Sequence, residues 1–239
     1  MEHQPIQDPA TKRLTAIVPA YNEAERIDSV LSVLCEFPLF REIIVVDDGS
    51  TDATFDVARK WSKARVVKNE FNRGKGFAMD FGVSLAKEDT IFFCDADVRG
   101  LSPHIIEEIT APVLRGEVDM FVAMRRRRIY EFAHAILRII PLLGGERALT
   151  KELWRKLPAY YKHAFRVESG LNFYANHFGK GFRYKVFDEL TQVIKERKYG
   201  FWIGVSERLS MCYDILLAHL YFHLIDAPRI RRRRVARRI

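Results

Sequence analysis

The sequence predicts an α/β fold in which a mainly parallel sheet carries helices on both faces. Three observations predict it. Short apolar runs rich in Val, Ile and Phe alternate along the chain with amphipathic stretches. The runs are continuous rather than alternating, as strands buried on both faces are. The stretches between them are about 10 to 15 residues long, the length of crossover helices.

Leu14–Ala20 (LTAIVPA) is an apolar run stopped by proline, a first strand, and Ile27, Val30, Leu31 and Leu34 then recur at helical spacing. Glu42–Asp48 (EIIVVDD) is the second strand, followed by a helix that Ser50 or Thr51 can cap. A third round joins ARVVKN to GKGFAMDFGVSLA, and a fourth joins TIFFCDAD to a helix begun near Pro103. Val118–Met124 supplies a fifth strand. Beyond Arg125 the alternation fades into helical segments and an irregular PLLGGERALTKELW. A helix from about Val167, a strand at FRYKVF and a long apolar C-terminal helix follow. The expected organisation is a leader over 1–12, one domain over 13–228 and a basic tail over 229–239.

An apolar content of 48% with 29% charged residues excludes both a disordered chain and a polytopic membrane protein. The net charge of +8 is local: seven arginines lie in Arg229–Arg238 and four in Arg125–Arg128, so the rest of the chain is mildly acidic. Such clusters suit phosphates or an anionic lipid surface. Nucleic acid is not expected, because no recognition module accompanies them. Cys35, Cys94 and Cys212 are far apart without CxxC spacing and read as free thiols of a reducing cytoplasm, Cys94 as a small core residue.

The acidic residues fall at one rim of the expected sheet: Glu23 after the first strand, Asp47 and Asp48 ending the second, Asp95 and Asp97 ending the fourth. In an extended chain side chains two apart share a face, so Asp95 and Asp97 can converge on one cation. Carboxylates gathered in this way repel one another unless something positive lies among them. A hard divalent cation, Mg2+ or Mn2+, meets that need and keeps positions open for phosphate oxygens. Lys75 in NRGKGFA adds a cation just before a helix whose N-terminus favours anions. Neither GxxxxGK[ST] nor GxGxxG is present, so a nucleotide would be held by other means.

The segments IVPAYNEAERI, EIIVVDDGSTDAT, NRGKGFAMDFG and IFFCDADVRGLSP, in that order, resemble the nucleotide-binding half of family 2 glycosyltransferases with the GT-A fold. The resemblance is strong from Leu14 to about Met124. Within that family the chain is most similar to the dolichol-phosphate mannose synthase type and less so to glucosyl-3-phosphoglycerate synthases. The resemblance implies that Pro19, Tyr21 and Glu23 line a nucleoside pocket, that Val46 and Asp48 read base or ribose, and that Asp95, Ala96 and Asp97 hold ribose and metal. The synthase type often places a further metal-contacting side chain where this chain has Arg99, which cannot ligate a cation.

The resemblance also implies a hexosyltransferase, with a GDP- or UDP-linked nucleotide sugar as donor. Asp97 would act at the catalytic metal, and Glu168 in FRVESGLNFYA would serve as base or orient the acceptor. Arg147 in GGERAL would contact phosphate or make a salt bridge at a helix start, and Arg197 would sit over the donor on a late loop. The expected acceptor is a polyprenyl phosphate, met at the cytoplasmic face of the membrane by a peripheral protein. Transfer to a soluble acceptor such as 3-phosphoglycerate, or nucleotide-sugar binding without catalysis, are the alternatives. For the membrane the sequence offers the basic tail and the apolar stretch Arg208–Pro228, which Asp214, His219 and His223 interrupt.

Overall fold

The computed structural model of the protein describes residues 13–125, 144–163, 166–192 and 201–230. The leader, Arg126–Arg128, Arg197 and residues 231–239 of the tail lie outside them. The chain order is β1 (Leu14–Ala20), α1 (Ile27–Glu36), β2 (Phe40–Asp47), α2 (Thr54–Arg59), β3 (Ala64–Lys68), α3 (Lys75–Leu85), β4 (Thr90–Phe93), β5 (Val98–Arg99), α4 (Pro103–Leu114) and β6 (Met120–Arg125). It continues with β7 (Arg147–Thr150), α5 (Lys151–Lys156), α6 (Arg166–Phe178), β8 (Phe182–Phe187), β9 (Thr191–Gln192) and α7 (Phe201–Tyr221), which runs on into a π-helical turn at Phe222–Asp226.

Seven strands form one sheet in the order β3-β2-β1-β4-β7-β6-β8, and β5 pairs separately with β9. All pairings in the large sheet are parallel except those of β7, which runs antiparallel to both β4 and β6. The sheet is covered on both faces. Ala16, Val18, Val45 and Phe92 pack with Leu31 of α1 and Ile106 of α4, while Ile17, Ile44, Val46 and Phe93 pack with Met79 of α3 and Trp154 of α5. This is the physical meaning of continuous apolar strands: each residue buries on one side or the other.

From β1 the chain winds outward through β2 and β3, then α3 carries it back to β4 on the other side of β1. The carboxyl ends of β1 and β4 therefore flank a topological switch point, where sheets of this kind leave a crevice for ligands.

Two local expectations give way. Ser50 and Thr51 do not cap α2, which starts at Thr54. The Ser50 hydroxyl instead accepts from the Asn22 N–H (3.0 Å) and the Thr54 hydroxyl from the Glu23 N–H (2.7 Å), tying the loop after β2 to the loop after β1. The segment read as irregular contains β7, a central strand. It escaped the apolar-run criterion because it is short and opens on a charged residue, Arg147, that is fully buried.

The turn after α7 is tied to α6 and to the segment between α5 and α6 by a polar knot: the Tyr161 and Tyr174 hydroxyls both donate to Asp226 Oδ2, at 2.9 and 3.0 Å. Burial and the Asp226 carboxylate together push the Tyr161 hydroxyl far above its usual range. Asp226→Ala would strand two buried donors, and a loss of about 2 to 4 kcal/mol is expected in urea denaturation.

Candidate active site

The turn after β1 places Tyr21 at the surface, 36% exposed, with Asn22 in the left-handed region (φ 55°) and Glu23 buried against Arg26 (3.1 Å). Pro19 is half-buried on β1, in register with Val46. The Val46 side chain is fully buried in the core, so it cannot read a base; only its backbone lies along the strand. At the end of β2 the Asp47 carboxylate accepts from the Ser50 N–H (2.8 Å) and lies 3.6 Å from Lys68.

Asp48 turns to the loop that leads into α3. Its carboxylate accepts from Asn69 Nδ2 (2.7 Å), from the Arg73 N–H (3.1 Å) and from the Gly74 N–H (2.7 Å). Gly74 sits at φ +90°, a conformation that glycine tolerates and side chains do not. The loop so braced starts α3 at Lys75 and delivers its ammonium group to the rim of the sheet.

There Lys75 Nζ lies 2.8 Å from Asp95 Oδ1 and 3.5 Å from Glu168 Oε1 in the first turn of α6. Burial works against its charge, but Asp95 and Glu168 outweigh that and raise its pKa well above the ordinary range. Asp95 Oδ2 meets Arg125 Nη2 at 3.2 Å, and the same nitrogen contacts Glu146 Oε1 at 2.5 Å. For Asp95, too, burial opposes ionisation, and the Lys75 and Arg125 charges with their hydrogen bonds overcome it and depress its pKa strongly. Burial pushes the fully buried Glu146 carboxyl up, against the pull of Arg125.

These contacts revise how the acidic rim is compensated. Asp47, Asp48, Glu23 and Asp95 are each answered by donors or cations of the chain itself, so mutual repulsion does not by itself demand a bound cation. Asp95 and Asp97 also lie beyond β4, which ends at Phe93, on a turn closed by the Val98 N–H to Asp95 carbonyl bond (3.4 Å), rather than on an extended strand. Ala96 and Asp97 are buried, and Arg99 is exposed on β5 opposite Thr191.

Arg147 is a strut rather than a phosphate ligand. It is 1% exposed, and its Nε and Nη2 both donate to the Gly144 carbonyl, at 3.1 and 2.6 Å. Burial lowers its pKa. Cys94 is buried in the core, and its thiol is pushed well up by that burial.

The structure thus brings together Lys75, Asp95 and Glu168 from the expected set and adds Arg125, Gly145 and Glu146. In sequence Arg125 opens the basic cluster, but its position at the end of a buried strand sets it apart. Gly145 belongs to the group through the side chain it lacks. A Cβ there would overlap Asp95 Oδ2, so glycine gives the carboxylate its space. Among the described residues no group of three or more His, Cys, Asp or Glu is placed to hold a metal ion. A cation bound by Asp95 and Asp97 would take its remaining oxygens from water or a ligand, and two carboxylates on one turn suit a hard divalent ion on those terms.

The family profile described as glycosyl transferase family 2 matches residues 15–191. The chain belongs to glycosyl transferase family 2. Dolichyl-phosphate beta-glucosyltransferase of Mus musculus is 40% identical over 117 residues, 42% of this chain and 36% of that protein. Dodecaprenyl-phosphate galacturonate synthase of Rhizobium johnstonii is 31% identical over 135 residues, 53% of this chain and 39% of that protein. The matched stretches thus span little more than a third of these relatives. Among solved structures, glucosyl-3-phosphoglycerate synthase from Mycobacterium tuberculosis with phosphoglyceric acid superposes with a TM-score of 0.68 at 21% identity, over 90% of this chain and 85% of that one. The same enzyme with Mn2+, UDP-glucose and phosphoglyceric acid gives 0.62 at 22% identity, over 88% and 85%. The family 2 domain here therefore has the GT-A fold.

Gly145→Ala in this domain is expected to cost about 1 to 3 kcal/mol by crowding Asp95. In a double-mutant cycle measured by urea denaturation, that cost should shrink in an Asp95→Ala background.

Proposed function

We propose that this family 2 domain transfers a sugar from a nucleoside-diphosphate donor to a polyprenyl phosphate at an anionic membrane surface. The observation that carries the reading is the convergence of Asp95, Lys75 and Glu168 at the switch-point crevice, with Asp97 on the same turn. In the step, an acceptor phosphate oxygen bonds to the anomeric carbon while the bond from that carbon to the diphosphate oxygen breaks, and the nucleoside diphosphate leaves with the electron pair. Mg2+ or Mn2+, held by Asp95 and Asp97, would neutralise charge growing on the leaving group.

Lys75, kept protonated by its two carboxylates, adds a fixed positive charge at the helix N-terminus beside it. An acceptor phosphate is already anionic, so Glu168 has no strong base to be. Next to Lys75 it orients the acceptor. Tyr21, exposed after β1, offers a flat face for the nucleoside, with Pro19, Glu23 and the backbone along Val46 behind it and Asp48 fixing the loop.

The acceptor class is supported by the relatives, a dolichyl-phosphate beta-glucosyltransferase and a dodecaprenyl-phosphate galacturonate synthase. It is supported as well by one face of α7. Tyr213, Leu216, Leu220 and Leu224 are exposed by 61, 56, 47 and 72% and follow one another at helical spacing. The arginine-rich tail begins directly after them at Arg229. The Arg166–Asp214 ion pair (3.0 Å) ties this helix to the first turn of α6, which carries Glu168, so a membrane under α7 would lie near the acceptor end of the site. Among the described residues no helix is long and apolar enough to cross a membrane.

Thermal stabilisation by a panel of GDP- and UDP-linked sugars is expected for one donor class, only with Mn2+, and to vanish in Asp97→Asn. Stabilisation indifferent to both metal and Asp97 would defeat the metal assignment. Labelled sugar should pass to a polyprenyl phosphate; product formed only on 3-phosphoglycerate would move the acceptor to the soluble class, and donor binding without transfer to either would make the domain a binding protein. Flotation with phosphatidylglycerol vesicles should recover the full chain in the lipid fraction and L216E/L220E in the soluble one.

A further inference from the structure

Asp95 is shared by two cations, and each cation has a second carboxylate. Lys75 divides itself between Asp95 and Glu168, at 2.8 and 3.5 Å. Arg125 divides itself between Asp95 and Glu146, at 3.2 and 2.5 Å. Both oxygens of Asp95 therefore face a positive group of the chain. A divalent cation that takes Asp95 as a ligand needs an oxygen that one of these groups now faces, and it brings two more charges to a carboxylate already neutralised.

Of the two, Arg125 is better provided for release. Glu146 is fully buried, and its Oε2 has no hydrogen-bond partner. A guanidinium freed from Asp95 can close on both Glu146 oxygens in the planar fork that Arg forms with carboxylates, so that no buried charge is left unpaired. Gly144 and Gly145 keep the approach to β7 thin enough for the pair to lie beside Asp95: a Cβ at Gly144 would overlap the Ala123 carbonyl oxygen, and one at Gly145 the Asp95 carboxylate.

The geometry points to Arg125 as an internal competitor of the divalent cation at Asp95, with Glu146 as the carboxylate that receives Arg125 when the cation enters. This rests on the reading of Asp95 and Asp97 as metal ligands. Its consequence is an order of loading: the cation alone binds poorly, and binds well only with a nucleoside diphosphate whose negative charge balances the crowd of cations. Metal and donor then arrive together.

The test is calorimetric titration of the full chain with Mn2+, alone and with saturating UDP or GDP, for the native protein, Arg125→Gln, Glu146→Gln and Asp97→Asn. Arg125→Gln is expected to strengthen binding of Mn2+ alone on the order of tenfold and to narrow the gap between titrations with and without nucleotide. Glu146→Gln, which removes the receiving carboxylate, is expected to weaken Mn2+ alone by a similar factor. Loss of a nearby charge would by itself shift the two variants in these directions, so the double variant decides: in an Arg125→Gln background Glu146→Gln is expected to have no further effect, and an undiminished effect there overturns the competitor role. Should Arg125→Gln fail to fold by circular dichroism, Arg125→Met takes its place in the same cycle. If Mn2+ binds with nucleotide and is lost in Asp97→Asn, but neither other variant departs from the native affinities, the competitor role is overturned and the metal reading stands. If no protein binds Mn2+ even with nucleotide, both fall.

Discussion

The site depends on one carboxylate being shared. Asp95 would be costly to bury alone, and Lys75 and Arg125 make it tolerable by approaching its two oxygens from different elements. Each approach has its own support. Asp48 fixes the loop that starts α3 at Lys75. β6 ends at Arg125, on the rim where β4 ends. β7 runs antiparallel between these strands, so its entry residues Gly145 and Glu146 come to the rim shared by the carboxyl ends of β4 and β6. A parallel strand in that position would have presented its far end instead.

Much of this architecture was legible in the sequence. Parallel strands buried on both faces leave a strong signature, and β1, β2, β4 and β6 stood out because their apolar residues are consecutive, while the edge strand β3 was legible only from its place in the alternation. The ordered motifs around Tyr21, Asp48, Lys75 and Asp95 marked the rim, because each follows directly on such a strand or opens the next helix. β7 did not stand out. Its burial is that of Ala148 and Leu149 between two glycines, two charges and a cap residue, and no periodicity criterion expects Glu146 and Arg147 to be fully enclosed. Arg147 went astray for the same reason: an arginine after glycines suggests an exposed phosphate ligand, whereas this one spends its donors on a carbonyl three residues back. Carboxylate compensation was invisible too, since Asp48 bonds to residues more than twenty positions away.

The second half of the domain adds β7 and β8 to the sheet and sets a helical wall beside it. Its aromatic residues interlock, Phe173 stacking on Phe222 at 4.3 Å and Tyr160 on Tyr221 at 3.8 Å. The Tyr161–Asp226–Tyr174 knot gives that packing a fixed register. α6 is thereby held so that Glu168 faces Lys75, while the opposite side of α7 keeps its leucines outward. One helix pair thus joins the crevice at Lys75 to the exposed apolar face of α7.

The position of β7 also bears on how the chain assembles during synthesis. Among the described strands β6 hydrogen-bonds only to β7 and β8, so the first five strands in sequence order to enter the large sheet cannot all join it until residues 147–150 have left the ribosome. Until then β4 is an open edge, with Phe92 and Phe93 on a strand that lacks one neighbour, and β6 has no place to dock. Such unpaired edges invite association between nascent chains. The strand that completes the charged rim is therefore also the one that covers the β4 edge, after which the open edge passes to β6 until residues 182–187 follow.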